Sequence, residues 1–176
     1  EHQALVVEMG MRGLGQIRFL TGICPPHAAV ITNVGPVHLE LLGSMEKVAE
    51  AKGEILDALP ETGFAVLNGD DPLVRRLGQR TRAEVIFFGR GPGNHMTISD
   101  VEMDARGRVT FCAAGLGSSG KISLNLPGIH NAWNAAAALA VGLKLGVPFA
   151  ACQRALRDVT LSSMRLEEVH TPSGAV

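Results

Sequence analysis

The chain has 176 residues, a length that suits one domain of ordinary size, with a small appendage, around a real core. Hydrophobic residues make up 46%, charged residues 19% and the formal net charge is -1, which argues against intrinsic disorder and against a polyanion-binding surface. One Trp, no Tyr and six Phe leave no aromatic platform for single-stranded nucleic acid, so nucleic acid is not an expected partner and the core must be mainly aliphatic.

Cys24, Cys112 and Cys152 are odd in number and far apart, so they build neither a disulfide framework nor a paired metal site. No run approaches the roughly 20 apolar residues that span a bilayer. The first ten residues lack the basic start and cleavage site of a signal peptide. A cytoplasmic protein without membrane insertion is expected. Glu1 falls in the approach to a strand and the chain stops at Ser173-Gly174-Ala175-Val176, so it reads as a piece of a longer protein.

In chain order, apolar runs predict strands near 4–9, 28–33, 63–68 and 84–88, with helices near 14–22, 44–58 and 72–80 between them. That alternation predicts an α/β fold with a mostly parallel sheet. Ser44 is a candidate N-cap for helix 44–58, which repeats Val48, Ala51, Ile55 and Leu59 at helical spacing and stops before Pro60. Lys52 lies one position off that stripe. After Gly89 to Asn94 the pattern turns to short strands, Met96 to Met103, Val109 to Ala113 and Lys121 to Leu126, which read as a small antiparallel meander. Pro127-Gly128 opens an Ala-rich helix over 130–145, and Pro148 opens another over 148–157.

Two glycine patterns imitate nucleotide loops. Gly115 to Lys121 fits GxxxxGK, but Ile122 stands where a magnesium-binding Ser or Thr belongs, and a strand follows instead of a helix, so a hairpin turn is expected. Gly89-Arg90-Gly91-Pro92-Gly93 resembles half of a dinucleotide fingerprint, yet no helix N-terminus follows to face a pyrophosphate, and it is expected to be the crossing between sheets.

A sparse polar set carries the chemistry. Glu8 follows the run Ala4 to Val7, His38 follows the run Ala29 to Asn33, and Lys52 sits on a helix. Ligands of α/β sheets gather beyond the carboxyl ends of strands, so a carboxylate, an imidazole and an amine at one edge suit a magnesium nucleotide. Each alone has a plainer reading: a solvated or capping carboxylate, a satisfied loop histidine, a solvated helix lysine. Asn131 and Asn134, at i and i+3, share a helix face and could read a purine edge, or Asn131 could cap the helix. Arg165 could grip a phosphate or pair with Glu167 or Glu168. His2, His27, His95 and His170 have no evident partner.

Val7-Glu8-Met9-Gly10, Thr32 to Glu40, Ala51-Lys52-Gly53-Glu54, Leu67 to Pro72 and Gly128 to Ala135 stand in the order and spacing of the Mur ligase central domain. The resemblance covers nearly the whole chain, with 1–170 as the central ATP-binding domain, truncated at its N-terminus, and 171–176 as the start of a linker to a C-terminal domain. It implies the P-loop-NTPase-like sheet of that domain, with the Gly-Lys-Thr or Gly-Lys-Ser phosphate loop expected upstream of Glu1. It further implies an ATP-dependent amide ligase of peptidoglycan precursor synthesis, working through an acyl phosphate. The stretch EMGMRGLGQI is most similar to family members that join D-Ala-D-Ala to UDP-MurNAc-tripeptide. Folylpolyglutamate-type and cyanophycin-type ligases, or a non-catalytic Mur-like binding subunit, are the alternatives. By motif position, Glu8, His38 and Lys52 would bind Mg2+, with Lys52 carbamylated and Lys52 and His38 catalytic. Asn131, Asn134 and Arg165 would contact ATP. The full-length chain is expected to be a monomer, and the piece alone to be inactive.

Overall fold

A computed structural model describes residues 2–36 and 39–160, which divide into two compact units at Met96 and Thr97. The first unit builds the parallel sheet. Strands β1 (Ala28–Ile31), β2 (Phe64–Asn68) and β3 (Glu84–Gly89) lie side by side in that order, all parallel, with Ala28 opposite Phe64 and Phe64 opposite Glu84. α1 (Gln16–Ile23) precedes β1, and the connections between the strands carry the short α2 (Leu39–Leu42), α3 (Met45–Asp57) and α4 (Pro72–Leu77), which runs into a 3-10 turn at Gly78–Arg80.

The central strand is buried from Phe64 through Leu67, as a strand covered on both faces must be. Val48, Ala49 and Leu56 of α3, with Val74 and Leu77 of α4, close over Ala29, Ile31, Ala65 and Leu67 to form the aliphatic core. The expected cap is present: Ser44 Oγ accepts from Lys47 N at 3.3 Å, and Glu46 follows in the first turn. Gly53 lets α3 come down on the next helix, since a Cβ there would lie 2.9 Å from both Arg80 Nη1 and Leu77 Cδ2.

One predicted element does not form. Residues 4–9 are irregular, and Leu5, Val6 and Val7 are 78%, 95% and 47% exposed. An apolar run makes a strand only where a neighbour completes its ladder, and among the described residues none pairs with it. Glu8 therefore stands exposed in an irregular segment, not at a strand end.

β4 (Met96–Met103) starts at the last residue of the first unit, and the second unit holds the rest of it with β5 (Arg108–Gly115), β6 (Ser118–Pro127), α5 (His130–Lys144) and α6 (Phe149–Arg157). β5 and β6 are antiparallel and meet at Leu116-Gly117, with φ of +51° and +75°, the left-handed pair that a two-residue hairpin requires. The GxxxxGK pattern is thus a hairpin, and Lys121 lies in β6. Ala132, Ala135, Ala136, Leu139 and Ala140 are the buried stripe of α5, which packs on β5 and β6. α6 lies so close to β6 that a Cβ at Gly120 would come within 2.8 Å of the Phe149 ring.

Candidate functional site

The end of β1 is where the first unit concentrates its polar chemistry. The β1–β2 ladder stops at Ile31, and each of the next three residues is tied by a side chain from elsewhere. The Thr32 carbonyl accepts from Asn68 Nδ2 at 2.8 Å, the Asn33 carbonyl accepts from Lys52 Nζ at 2.8 Å, and Val34 N donates to Asp71 Oδ2 at 2.8 Å. Asn68 ends β2, Asp71 belongs to the turn that follows, and Lys52 lies on α3. Asp71 also caps α4, its Oδ1 accepting from Leu73 N at 2.8 Å and Val74 N at 3.2 Å, with Pro72 in the first helical turn.

Lys52 is half-buried, and burial pushes its ammonium below the usual lysine range, the Asp71 charge opposing the shift only in part. A larger neutral fraction makes the amine a better nucleophile and a candidate for covalent modification.

Glu8 opens a loop that Gly10, Gly13 and Gly15 carry into α1. Gly15, with φ +82°, occupies the N-cap of α1 and has no side chain to offer. The missing cap comes from α3: Glu54, 3% exposed, accepts from Gly15 N at 2.6 Å and from Arg18 N at 3.1 Å. Sequence reasoning quoted Glu54 in a motif without giving it work. Its pattern, an acidic residue on the buried side of an amphipathic helix, was the available signal.

Beside the β1 end, Asp70 organises the loop after β3. Its carboxylate accepts from Arg90 N at 2.7 Å, Gly91 N at 2.8 Å and Asn94 Nδ2 at 3.1 Å. Arg75 donates to the Gly69 carbonyl at 2.8 Å and to Asn94 Oδ1 at 3.0 Å, and lies 4.7 Å over the Phe87 ring. His95, which had no evident partner in the sequence, stacks on Phe87 and accepts from Phe87 N at 2.9 Å. The Gly89 to Gly93 segment is this bonded loop between β3 and β4.

In the second unit Asn131 is buried, donates to the Pro127 carbonyl at 2.7 Å and accepts from Asn134 Nδ2 at 3.2 Å. The N-cap position belongs to Ile129, so Asn131 is not the cap. It holds the Pro127-Gly128 turn and steers Asn134, which is exposed on the first turns of α5. His38 and Arg165 lie outside the described residues. Among the described residues, no three His, Cys, Asp or Glu side chains gather as a metal-binding group. Magnesium needs only one or two protein oxygens when phosphates and water complete its shell, so the exposed Glu8 carboxylate is a chemically suitable donor.

A family model described as the Mur ligase middle domain matches residues 1–142. The chain belongs to the Mur ligase family. Among curated relatives, the UDP-N-acetylmuramoyl-tripeptide--D-alanyl-D-alanine ligase of Bacillus subtilis (strain 168) is 36% identical over 169 residues, 96% of this chain and 36% of the relative. The structure of MurF from Acinetobacter baumannii superposes with a TM-score of 0.85 at 26% identity, covering 93% of this chain and 36% of that one. The MurF ligase from Thermotoga maritima, solved in complex with ADP, gives 0.73 at 29% identity over 88% of this chain and 35% of that one. This Mur ligase chain thus spans about a third of the length of the proteins it matches. Its mixed α/β architecture agrees with the central domain of those structures.

Proposed function

We propose that the full-length protein is an ATP-dependent amide ligase that adds D-Ala-D-Ala to UDP-MurNAc-tripeptide in peptidoglycan precursor synthesis. The observation that carries this reading is Lys52: a half-buried amine of lowered pKa, held at the end of β1 by the Asn33 carbonyl, in a chain similar to MurF over nearly its whole length. Residues 1–170 are the central ATP-binding domain, and 171–176 lead to a further domain. The protein works as a cytoplasmic monomer, with Cys24, Cys112 and Cys152 as free thiols. The 176-residue segment alone turns over no substrate.

A carboxylate is too poor an electrophile for an amine, so ATP first transfers its γ-phosphoryl group to the terminal carboxylate of the tripeptide, leaving ADP. The amine of D-Ala-D-Ala then attacks the acyl phosphate, forming the amide bond and releasing phosphate. Glu8, His38 and Lys52, the last as a carbamate, would hold Mg2+, which supplies neutralisation of phosphate charge and orientation for in-line transfer. The depressed pKa of Lys52 favours that carbamate, because only the neutral amine attacks carbon dioxide. Once carbamylated, the nitrogen would retain one N–H for the Asn33 carbonyl, and the carbamate oxygens would be the donors for the cation. Asn134 would contact the adenine with Asn131 fixing its amide, and Arg165 would bind the nucleotide.

The test is phosphate release by the full-length protein with ATP, UDP-MurNAc-tripeptide and D-Ala-D-Ala. Release that requires all three, with the pentapeptide seen by mass spectrometry, is expected. Release with L-alanine and UDP-MurNAc instead would move the protein to another Mur ligase step, and no release with either pair would sink the ligase reading.

A further inference from the structure

We propose that Asn68 and Asp71 are positioning residues for Lys52: from the end of β2 and the turn after it they clamp the β1 end whose Asn33 carbonyl holds the lysine nitrogen. This rests on the reading of Lys52 given above. Thr32, Asn33 and Val34 lie beyond the last rung of the β1–β2 ladder, so their backbone groups find no partner within the sheet register. Side chains replace the missing rungs. Asn68 fixes the peptide before the Asn33 carbonyl, Asp71 the amide just after it, and the carbonyl between them receives Lys52.

Both clamping side chains are themselves fixed by second bonds. Asn68 Oδ1 accepts from Asp70 N at 2.9 Å, and Asp71 Oδ1 accepts from the first amides of α4. The same turn that starts α4 therefore sets the direction of the Asn33 carbonyl. A lysine stem has many rotamers, so it holds one place only where an acceptor waits for it. An error of about 1 Å in a reacting group can cost roughly 100-fold in rate.

The residue types separate this role from helix capping. Asn caps a helix about as well as Asp, but Asn at 71 would keep Oδ1 on the α4 amides and turn an N–H toward Val34 N, donor against donor. Asp at 68 would likewise keep the bond from Asp70 N and set an oxygen against the Thr32 carbonyl. Asp71→Asn and Asn68→Asp thus each break one tie of the clamp at nearly constant shape.

The experiment compares the full-length wild type, Asp71→Asn, Asn68→Asp and Lys52→Ala. It reads kcat and ATP KM from phosphate release, the thermal midpoint, and hydrogen exchange across residues 32–36. Each isosteric exchange is expected to lower kcat about 10- to 100-fold, leave ATP KM within about threefold, lower the midpoint by about 2–8 °C as the loss of one bonded tie does, and speed exchange in that segment more than over β2. A kcat within threefold of wild type in both variants overturns the clamp. So does a kcat loss accompanied by faster exchange throughout the first unit rather than at 32–36. If Lys52→Ala keeps wild-type turnover, or the wild type does not ligate, the functional reading fails instead, and exchange at 32–36 in Asp71→Asn still decides whether the clamp exists.

Discussion

Glu54 offers a stability test that reaches the loop bearing Glu8. Its buried carboxylate accepts from Gly15 N and Arg18 N, at the N-cap and third residue of α1, the two donors that a capping box would satisfy within a helix. Hydrogen bonds to a charged group contribute about 1.5–3 kcal/mol each, and a carboxylate at a partly buried helix N-terminus adds up to about 2 kcal/mol. These terms overlap, because the charge that strengthens the bonds is the charge that meets the dipole. Glu54→Gln keeps one acceptor, points an N–H at a donor and loses the charge, for an expected cost of about 2 kcal/mol. Glu54→Ala leaves both amides without the carboxylate and opens a small cavity, for about 3–4 kcal/mol. At roughly 2–4 °C per kcal/mol for a domain of this size, the midpoint should fall by about 4–8 °C and 6–16 °C respectively. Hydrogen exchange by mass spectrometry on the full-length protein, over a peptide spanning 12–23, should show faster exchange there than over β2. Both variants melting within 1 °C of wild type, with unchanged exchange in α1, would refute the argument that α3 caps α1.

Lys52 should acetylate faster than the exposed Lys47 at pH 8, read by peptide mass spectrometry, because burial holds more of it neutral; equal rates would remove the basis for carbamylation. The same shift works against folding wherever the ammonium must stay charged. That cost is fully present below the depressed pKa and fades as pH rises toward 10.5, where the unfolded chain binds the extra proton. Wild type should therefore gain on Lys52→Met in thermal midpoint between neutral and alkaline pH, and parallel curves would contradict it. Cys152, buried and with its thiol pKa raised by desolvation, should be the last of the three cysteines to react with iodoacetamide, after Cys24 and Cys112. Gly53→Ala should lower stability by about 1–2 kcal/mol, overpacking against Leu77 and Arg80 outweighing the helix propensity gained; a stabilised variant would show that the Arg80 side chain yields freely.

The parallel strands 28–33, 63–68 and 84–88 were legible because apolar runs of that length between amphipathic helices have few other folds available. β1 and β2 fall within those ranges, and β3 runs one residue past the third, to Gly89. The run at 4–9 carried the same local signal and failed, since pairing is a property of two segments and one segment cannot report it. Lys52 was legible as a motif residue but not as a buried amine: helical spacing placed it off the apolar stripe, whereas its burial comes with the Asn33 carbonyl from another element. Asn131 was ambiguous between cap and ligand contact, and only the backbone at Ile129 and Pro127 resolved what it bonds.

Asp70, Asp71 and Asn68 show the deeper limit. In the sequence they are one turn signal, Asn-Gly-Asp-Asp-Pro, and turn chemistry explains them fully. In the fold the same side chains serve three elements: Asn68 the end of β1, Asp71 both that end and the start of α4, Asp70 the loop after β3. A turn needs only acceptors for its own amides, and many residues supply them. Holding neighbours 36, 20 and 37 positions away requires a donor at 68 and charged acceptors at 70 and 71, with a glycine at 69 because a Cβ there would strike Asn94 and Arg75. The identity of each residue is thus set by long-range contacts while its type is set by the local turn. Exchanges that respect the turn and violate the long-range contact, such as Asp71→Asn, are consequently the ones that can separate folding from function.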